Sequence, residues 1–301
     1  MSIRYGVSPI AWINDDMPEL GGDTPLDEVL RDIAELGFAG SELGGAFPRD
    51  PAALKARLDR FGLGLVGGWY SCELLTRSAQ DEIVAMQPHL ALLKAMGCKV
   101  FVICETSNAI HSRRGIPLKA RPKLDAEGWR EFGARLSEVG DYVRAQGLDM
   151  AYHYHLGTVV QDQADLDAFF AHTRDSVRVT LDTGHAVLGG IDPFRVIAEH
   201  PKRISHVHCK DVRQAVFDAT AGAEASFLDG VLAGMFTVPG DGSIDFGRVM
   251  RDLAGIGYSG WIILEAEQDP ARADPRAYAE LGLRNLRAAA AAAGLKEAVA
   301  A

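Results

Sequence analysis

Five of the nine histidines in this chain fall in three short stretches, each with carboxylates or other polar groups nearby. The stretches are Tyr152-His153-Tyr154-His155, Asp182-Thr183-Gly184-His185 and His206-Val207-His208-Cys209-Lys210-Asp211; a fourth, Glu265-Ala266-Glu267, adds two more carboxylates. All four close apolar runs of strand character. Imidazole and carboxylate together suit Mn, Co, Fe or Zn better than Ca or Mg, which take oxygen donors. The same side chains also do general acid–base work. Each residue taken singly has a plainer use. A strand-end histidine or lysine often only hydrogen-bonds, Asp-Thr-Gly is also a turn or helix cap, and a strand-end glutamate can be a solvated edge. The concentration of histidines on three successive strand ends is what favours a site.

The elements that would position these residues repeat one rhythm of amphipathic helix, glycine and short apolar strand. Leu26, Val29, Leu30, Ile33 and Leu36 fall at helical spacing, with Thr24-Pro25 as a cap and first-turn proline and Gly37 as the stop. Trp129, Phe132, Leu136, Val139 and Val143 line a second such helix, closed by Gly147. Asp192-Pro193 and Asp274-Pro275 are further helix starts, and the alanine-rich stretch 288–293 is a helical tail. Strands are expected near 3–9, 38–43, 63–69, 98–104, 148–155, 177–182, 203–208 and 260–265. Several read as continuous apolar runs, as strands buried on both faces of a parallel sheet do. Eight strands alternating with helices predict a single (β/α)8 TIM barrel over residues 1–301, in the α/β class, with an open doubly wound sheet as the alternative. No G-x-G-x-x-G follows the first strand, so no dinucleotide site is signalled. Strand ends converge on one mouth of a barrel. Glu42, Trp69-Tyr70 and Glu105 therefore join the candidates, as does Asn14-Asp15-Asp16 after the first strand. Glu42 and Glu105 could position other groups, bind hydroxyls, carry protons or merely form salt bridges. The long connections 106–124, with Arg113, Arg114, Lys119, Arg121 and Lys123, and 212–244 also belong to that mouth, as lids or as solvated decoration.

The chain has 301 residues, 48% of them hydrophobic, and a formal charge of −10. That length accommodates one large core, and no basic stripe marks a nucleic-acid partner. The four cysteines form no C-x-x-C pair and are expected to be reduced. No signal peptide or membrane-length apolar run is evident, so a cytoplasmic protein without a membrane partner is expected.

At its strand ends the sequence resembles the xylose-isomerase-like TIM-barrel superfamily, and within it the inosose dehydratases most closely. The resemblance rests on Asn14-Asp15-Asp16-Met17-Pro18-Glu19-Leu20-Gly21-Gly22-Asp23-Thr24-Pro25, the His153 and His206 stretches, Phe236-Thr237-Val238-Pro239-Gly240-Asp241-Gly242 and Glu265-Ala266-Glu267-Gln268-Asp269-Pro270. These segments span nearly the whole chain. The resemblance implies one divalent metal, Mn or Co foremost, held by Asp182, His208, Glu265 and a strand-five residue. Most relatives have glutamate at that last position, whereas this chain offers His153 or His155, with His153 as the expected ligand. A neutral ligand there raises the net positive charge of the site and its Lewis acidity. His185 matches a histidine often found three residues after the aspartate. The implied reaction is dehydration of a keto-cyclitol, 2-keto-myo-inositol. A base must take the proton beside the ketone and an acid must protonate the departing hydroxyl. His155, Lys210, Glu265 and Glu105 are the proton carriers available, with His155 and Lys210 favoured. Asn14, Glu42, His185 and the basic residues of 106–124 are candidates for holding substrate. Glutathione enters through the resemblance alone, with Cys209 beside His208 as the one thiol that could motivate it, and the resemblance implies a homo-oligomer. The competing readings are a keto-sugar or polyol isomerase or epimerase on the same site, a nuclease, and a metal-free polyol-binding protein. A histidine in place of the strand-five carboxylate disfavours the first, and the acidic surface disfavours the second.

Overall fold

Every apolar run expected to be a strand is one, and each pairs in parallel with its neighbour in sequence. In the computed structural model, which describes residues 2–298, these are β1 (Ser2–Val7), β2 (Gly40–Leu43), β3 (Gly64–Cys72), β4 (Val100–Glu105), β5 (Asp149–His153), β6 (Val177–Asp182), β7 (Ile204–Cys209) and β8 (Gly260–Leu264). The ring closes where β8 lies beside β1, in register from Ile3 opposite Gly260 to Val7 opposite Leu264. That pairing makes a closed (β/α)8 barrel and excludes the open sheet. A further two-residue strand, Lys296–Glu297, pairs with Ser2 and Ile3.

Side chains alternate across each strand, so residues two apart share a face. In β5, Tyr152 points outward to Phe132 and Phe169. Ala151 points inward, where it packs with Val100 and Val102. The lower barrel is filled tightly. A Cβ on Gly6 would meet Ile263 Cδ1 at 2.7 Å, and one on Gly40 would meet Gly64 O at 2.6 Å and Trp261 Cη2 at 3.0 Å. A filled floor leaves chemistry only at the other end, where β5 to β8 finish in polar residues.

The outer helices form as their spacing predicts. Leu26–Leu36 buries Leu26, Val29, Leu30 and Ile33 and stops at Gly37, whose φ of 88° is left-handed. Ala126–Ala145 buries Trp129, Phe132, Leu136, Val139 and Val143. Asp192 and Asp274 accept N-terminal backbone N–H groups of helices that begin with Pro193 and Pro275. Thr24 caps nothing: Pro25 itself stands at the cap of its helix, with no side-chain cap bond. Among the described residues no helix is long and apolar enough to cross a membrane.

The two long connections are not solvated decoration. Segment 212–244 folds into helices Gln214–Ala219 and Phe227–Ala233 and a two-residue pairing of Asp211–Val212 with Phe236–Thr237. Its Phe227, Leu228, Val231, Met235 and Phe236 bury a second apolar cluster with Met17, Leu118, Leu156 and Leu188. Loops after β1, β4, β5, β6 and β7 thus meet in one roof over the mouth. Leu118 N–H donates to Ala225 O at 3.1 Å, and Lys119 pairs with Glu224, which ties the two long segments together.

Candidate functional site

Strand alternation brings His153, Asp182, His208 and Glu265 to one point at the top of the barrel. One donor atom from each lies within 4.8 Å of the others, and all four residues are buried. His153 Nε2 is 3.3 Å and His208 Nδ1 is 3.6 Å from Asp182 Oδ2, and His208 Nδ1 is 3.0 Å from Glu265 Oε2. Asp182 Oδ2 and His208 Nδ1 nevertheless carry no hydrogen bond. Buried polar atoms left without partners are rare, and two that face a common centre with mixed N and O chemistry fit a divalent cation. Asp182 divides its oxygens between two tasks. Oδ1 caps the helix Thr183–Gly189 by accepting from His185 N–H at 2.8 Å, which leaves Oδ2 for the centre. The helix-cap reading of Asp-Thr-Gly therefore holds, and it leaves the second oxygen available to the centre.

β5 ends at His153, and His155 lies beyond it in a turn where its N–H donates to Val160 O. The strand end thus places His153, and not His155, in the quartet. His155 is held otherwise. Its Nδ1–H donates to Leu156 O at 2.7 Å. Burial, and then the nearby His185 and His111, hold its pKa well below the usual histidine value. The ring is neutral, and with Nδ1 protonated its Nε2 bears the lone pair.

Behind the quartet two charged groups fix its members. Glu42 Oε1 accepts from His206 Nε2 at 2.9 Å and His208 Nε2 at 3.1 Å. Burial would raise the Glu42 carboxyl, but His208 and His206 outweigh it and bring the pKa to about 2. A carboxylate on the far nitrogen of a ligating imidazole sets its tautomer and orientation. Lys210, with no exposed surface, lies 2.5 Å from Glu265 Oε1, 2.7 Å from Glu267 Oε1 and 3.9 Å from Asp182 Oδ2. Its ammonium also stands 4.6 Å from the Phe236 ring centre. Burial opposes its charge, yet these carboxylates prevail and raise its pKa above the ordinary lysine value. His155, His185 and Glu267 form another donor group. The Lys210 ammonium contacts two of them, 3.0 Å from His185 Nε2 and 2.7 Å from Glu267 Oε1.

A cavity of about 320 Å³ opens above the quartet, within the range of small-molecule sites. Its walls include Glu42, His153, His155, His208 and Glu265 of the candidates expected from sequence, while Asp182, His185 and Lys210 stand behind them. Three candidates face elsewhere. Tyr70 OH donates to Glu82 Oε1 at 2.6 Å, outside the cavity. Asn14 is turned into its own loop, where Oδ1 accepts from the N–H groups of Asp16 at 2.9 Å and Met17 at 2.8 Å. Glu105 accepts from Leu74 N–H at 2.6 Å and Ser107 N–H at 2.7 Å, outside the cavity. None of the five basic residues of 106–124 lines the cavity; three are held in pairs, Arg114 with Glu19, Lys119 with Glu224, and Arg121 with Asp162 and Asp165. Arg49 is the guanidinium in the wall, and His111 is what the long loop contributes. Asp15, Asp16, Trp69 and Glu267 also line the cavity. Cys209 is buried, and burial raises its thiol pKa far above the usual value; no cysteine lines the cavity.

Residues 30–289 match the family model described as xylose isomerase-like TIM barrel. The chain is 44% identical over 296 residues to the rhizopine catabolism protein MocC of Rhizobium meliloti, covering 98% of this chain and 91% of that one. It is 41% identical to an inosose dehydratase of Lacticaseibacillus casei, covering 93% of this chain and 94% of the relative. It is 40% identical to an inosose dehydratase of Geobacillus thermodenitrificans, at 92% and 94% coverage. Among solved structures, an L-ribulose 3-epimerase superposes with a TM-score of 0.67 at 18% identity, over 98% of this chain and 96% of that one, a likeness of fold. With its closed barrel, filled floor and cavity at the strand ends, the chain belongs to the xylose isomerase-like TIM-barrel family.

Proposed function

We propose that the chain is an inosose dehydratase, a hydro-lyase that removes water from 2-keto-myo-inositol in inositol catabolism, with Mn or Co held by His153, Asp182, His208 and Glu265. Similarity to inosose dehydratases over more than nine-tenths of both chains supports the substrate. The observation that carries the chemistry is the pairing of a metal-capable quartet with one wall histidine whose lone pair is free. When bound, the cation supplies Lewis-acid stabilisation of the negative charge that develops on the ketone oxygen.

The chain's own groups do the rest. His155 Nε2 takes the proton beside the ketone, and its Nδ1–H, fixed on Leu156 O, keeps the accepting nitrogen turned to the cavity. Lys210 does not accept protons, because its neighbouring carboxylates hold it charged. It orients Glu265 and Glu267. Trp69, 37% exposed and edge-on to His153 and His155, offers an apolar face to the ring carbons. Arg49 supplies hydrogen bonds to ring hydroxyls. The roof cluster keeps bulk water from the mouth, which strengthens each of these interactions.

Glu42 acts through His208, so Glu42→Gln is expected to weaken Mn or Co binding about 10- to 100-fold in a calorimetric titration. Unchanged affinity would remove Glu42 from this role. The reading as a whole is tested by incubating metal-loaded protein with 2-keto-myo-inositol. Loss of one water and growth of enone absorbance are expected. A product of unchanged mass would mark an isomerase or epimerase instead.

A further inference from the structure

Hydroxide is a poor leaving group, so a dehydratase of this kind needs an acid as well as a base, and the base assigned above leaves the acid open. Five carboxyl groups line the cavity: Asp15, Asp16, Glu42, Glu265 and Glu267. Four are committed. Both Asp15 oxygens accept from Gly45 N–H at 3.0 Å, Glu42 holds His206 and His208, Glu265 Oε1 meets Lys210 while its Oε2 lies 3.0 Å from His208 Nδ1, and Glu267 meets Lys210 through Oε1, its Oε2 making no hydrogen bond. The Asp16 carboxyl makes no hydrogen bond or ion pair among the described residues. The hydrogen bond at Asp16 is that of its backbone N–H to Asn14 Oδ1.

The loop that carries Asp16 is built to hold it there. Asn14 pins two successive N–H groups and its own N–H donates to Leu20 O, while Met17 is buried in the roof. Asp15 is clamped to Gly45 so closely that a Cβ on that glycine would meet its Oδ1 at 2.6 Å. Asp16 follows β1 and His155 follows β5, which stand four strands apart and so face each other across an eight-stranded ring. A six-membered ring lying between them presents one carbon to each wall.

We propose that Asp16 is the catalytic acid of the dehydration, donating its carboxyl proton to the departing hydroxyl. This inference rests on the dehydratase reading. His155 Nε2 takes the proton from the carbon beside the ketone. The released electron pair moves first onto the ketone oxygen as an enolate, and in a second step returns to form the carbon–carbon double bond as the neighbouring carbon–oxygen bond breaks. The leaving oxygen takes the Asp16 proton and departs as water. Asp16 is left as carboxylate and His155 as imidazolium, and proton exchange with solvent resets both. Burial, with the neighbouring Glu267 and Asp15 carboxylates, pushes Asp16 up to about 7, so it carries its proton in neutral solution far more often than an ordinary aspartate.

The test separates the two proton transfers. Metal-loaded Asp16→Asn and wild type are incubated with 2-keto-myo-inositol in deuterated water, with exchange beside the ketone and loss of water followed together. Dehydration by Asp16→Asn is expected to fall about 10²- to 10⁴-fold while deuterium exchange continues near the wild-type rate. A substrate carrying fluoride in place of the departing hydroxyl needs no acid, and the variant is expected to release fluoride at close to the wild-type rate. Dehydration that stays near wild type would overturn the proposal. So would exchange, elimination and fluoride release all failing together, because that is the mark of a merely structural residue. Wild-type protein that neither exchanges nor dehydrates would overturn the dehydratase reading, and this inference with it.

Discussion

Lys210→Met is expected to destabilise the metal-free protein by about 3–5 kcal/mol, the usual cost of leaving buried charge without its partner. The lysine has no exposed surface and stands within 4 Å of three carboxylates, those of Asp182, Glu265 and Glu267. Burial raises the pKa of both Asp182 and Glu265; Lys210 is the largest influence opposing it and brings both well below the usual carboxylate range. Methionine fills a similar volume but supplies no charge, so those groups must either remain ionised in an apolar setting or take up protons. Denaturant unfolding of chelator-treated wild type and variant measures the difference. A loss of stability under about 1 kcal/mol, within the range of ordinary surface substitutions, would show that the ammonium is not what balances this cluster.

The second large effect falls on turnover. His155→Gln is expected to lower kcat for dehydration about 10²- to 10⁴-fold, the contribution of a positioned base, while leaving metal content as in wild type. Glutamine preserves polarity and much of the volume but has no basic nitrogen. The hydrogen bond from Nδ1 to Leu156 O leaves Nε2 as the nitrogen that can accept a proton, so under the proposed function exchange of the proton beside the ketone should fall in parallel with dehydration. In this His155 differs from Asp16. Loss of bound metal in His155→Gln would place the histidine in the coordination set; full activity would assign the proton transfer to another group.

The sequence made the frame and the quartet legible for the same reason: both are periodic. Helical spacing marked Leu26–Leu36 and Ala126–Ala145, and alternation along strands put His206 and His208 on one face, with His153 and Asp182 turned to the same centre. Where a strand stops was harder to read. Two residues decide whether His153 or His155 joins the quartet, and β5 ends at the first of them because the chain then turns back on Val160. Contacts between distant segments left still less trace. Glu42 meets His206 across 164 residues of sequence, so its hold on two histidines is set by the closing of the barrel and not by local pattern. Asp16 and Arg49 sit in loops, where no period points inward. The opening Asn14-Asp15-Asp16 run marked a loop that reaches the cavity through Asp15 and Asp16, whereas Asn14, expected to meet substrate, is turned into the loop itself. The roof stayed hidden because its apolar residues are gathered from five separate connections.

The central claim is that one divalent cation at His153, Asp182, His208 and Glu265 is required to remove water from 2-keto-myo-inositol. Stripping the purified protein with chelator and adding Mn or Co in measured steps, with enone absorbance followed at each step, tests it most directly. Activity should be absent from the stripped protein and return in proportion to bound metal, saturating at one ion per chain. Asp182→Ala should neither retain the ion nor recover. Stripped protein that dehydrates at the full rate, or Asp182→Ala that keeps both metal and activity, would contradict it.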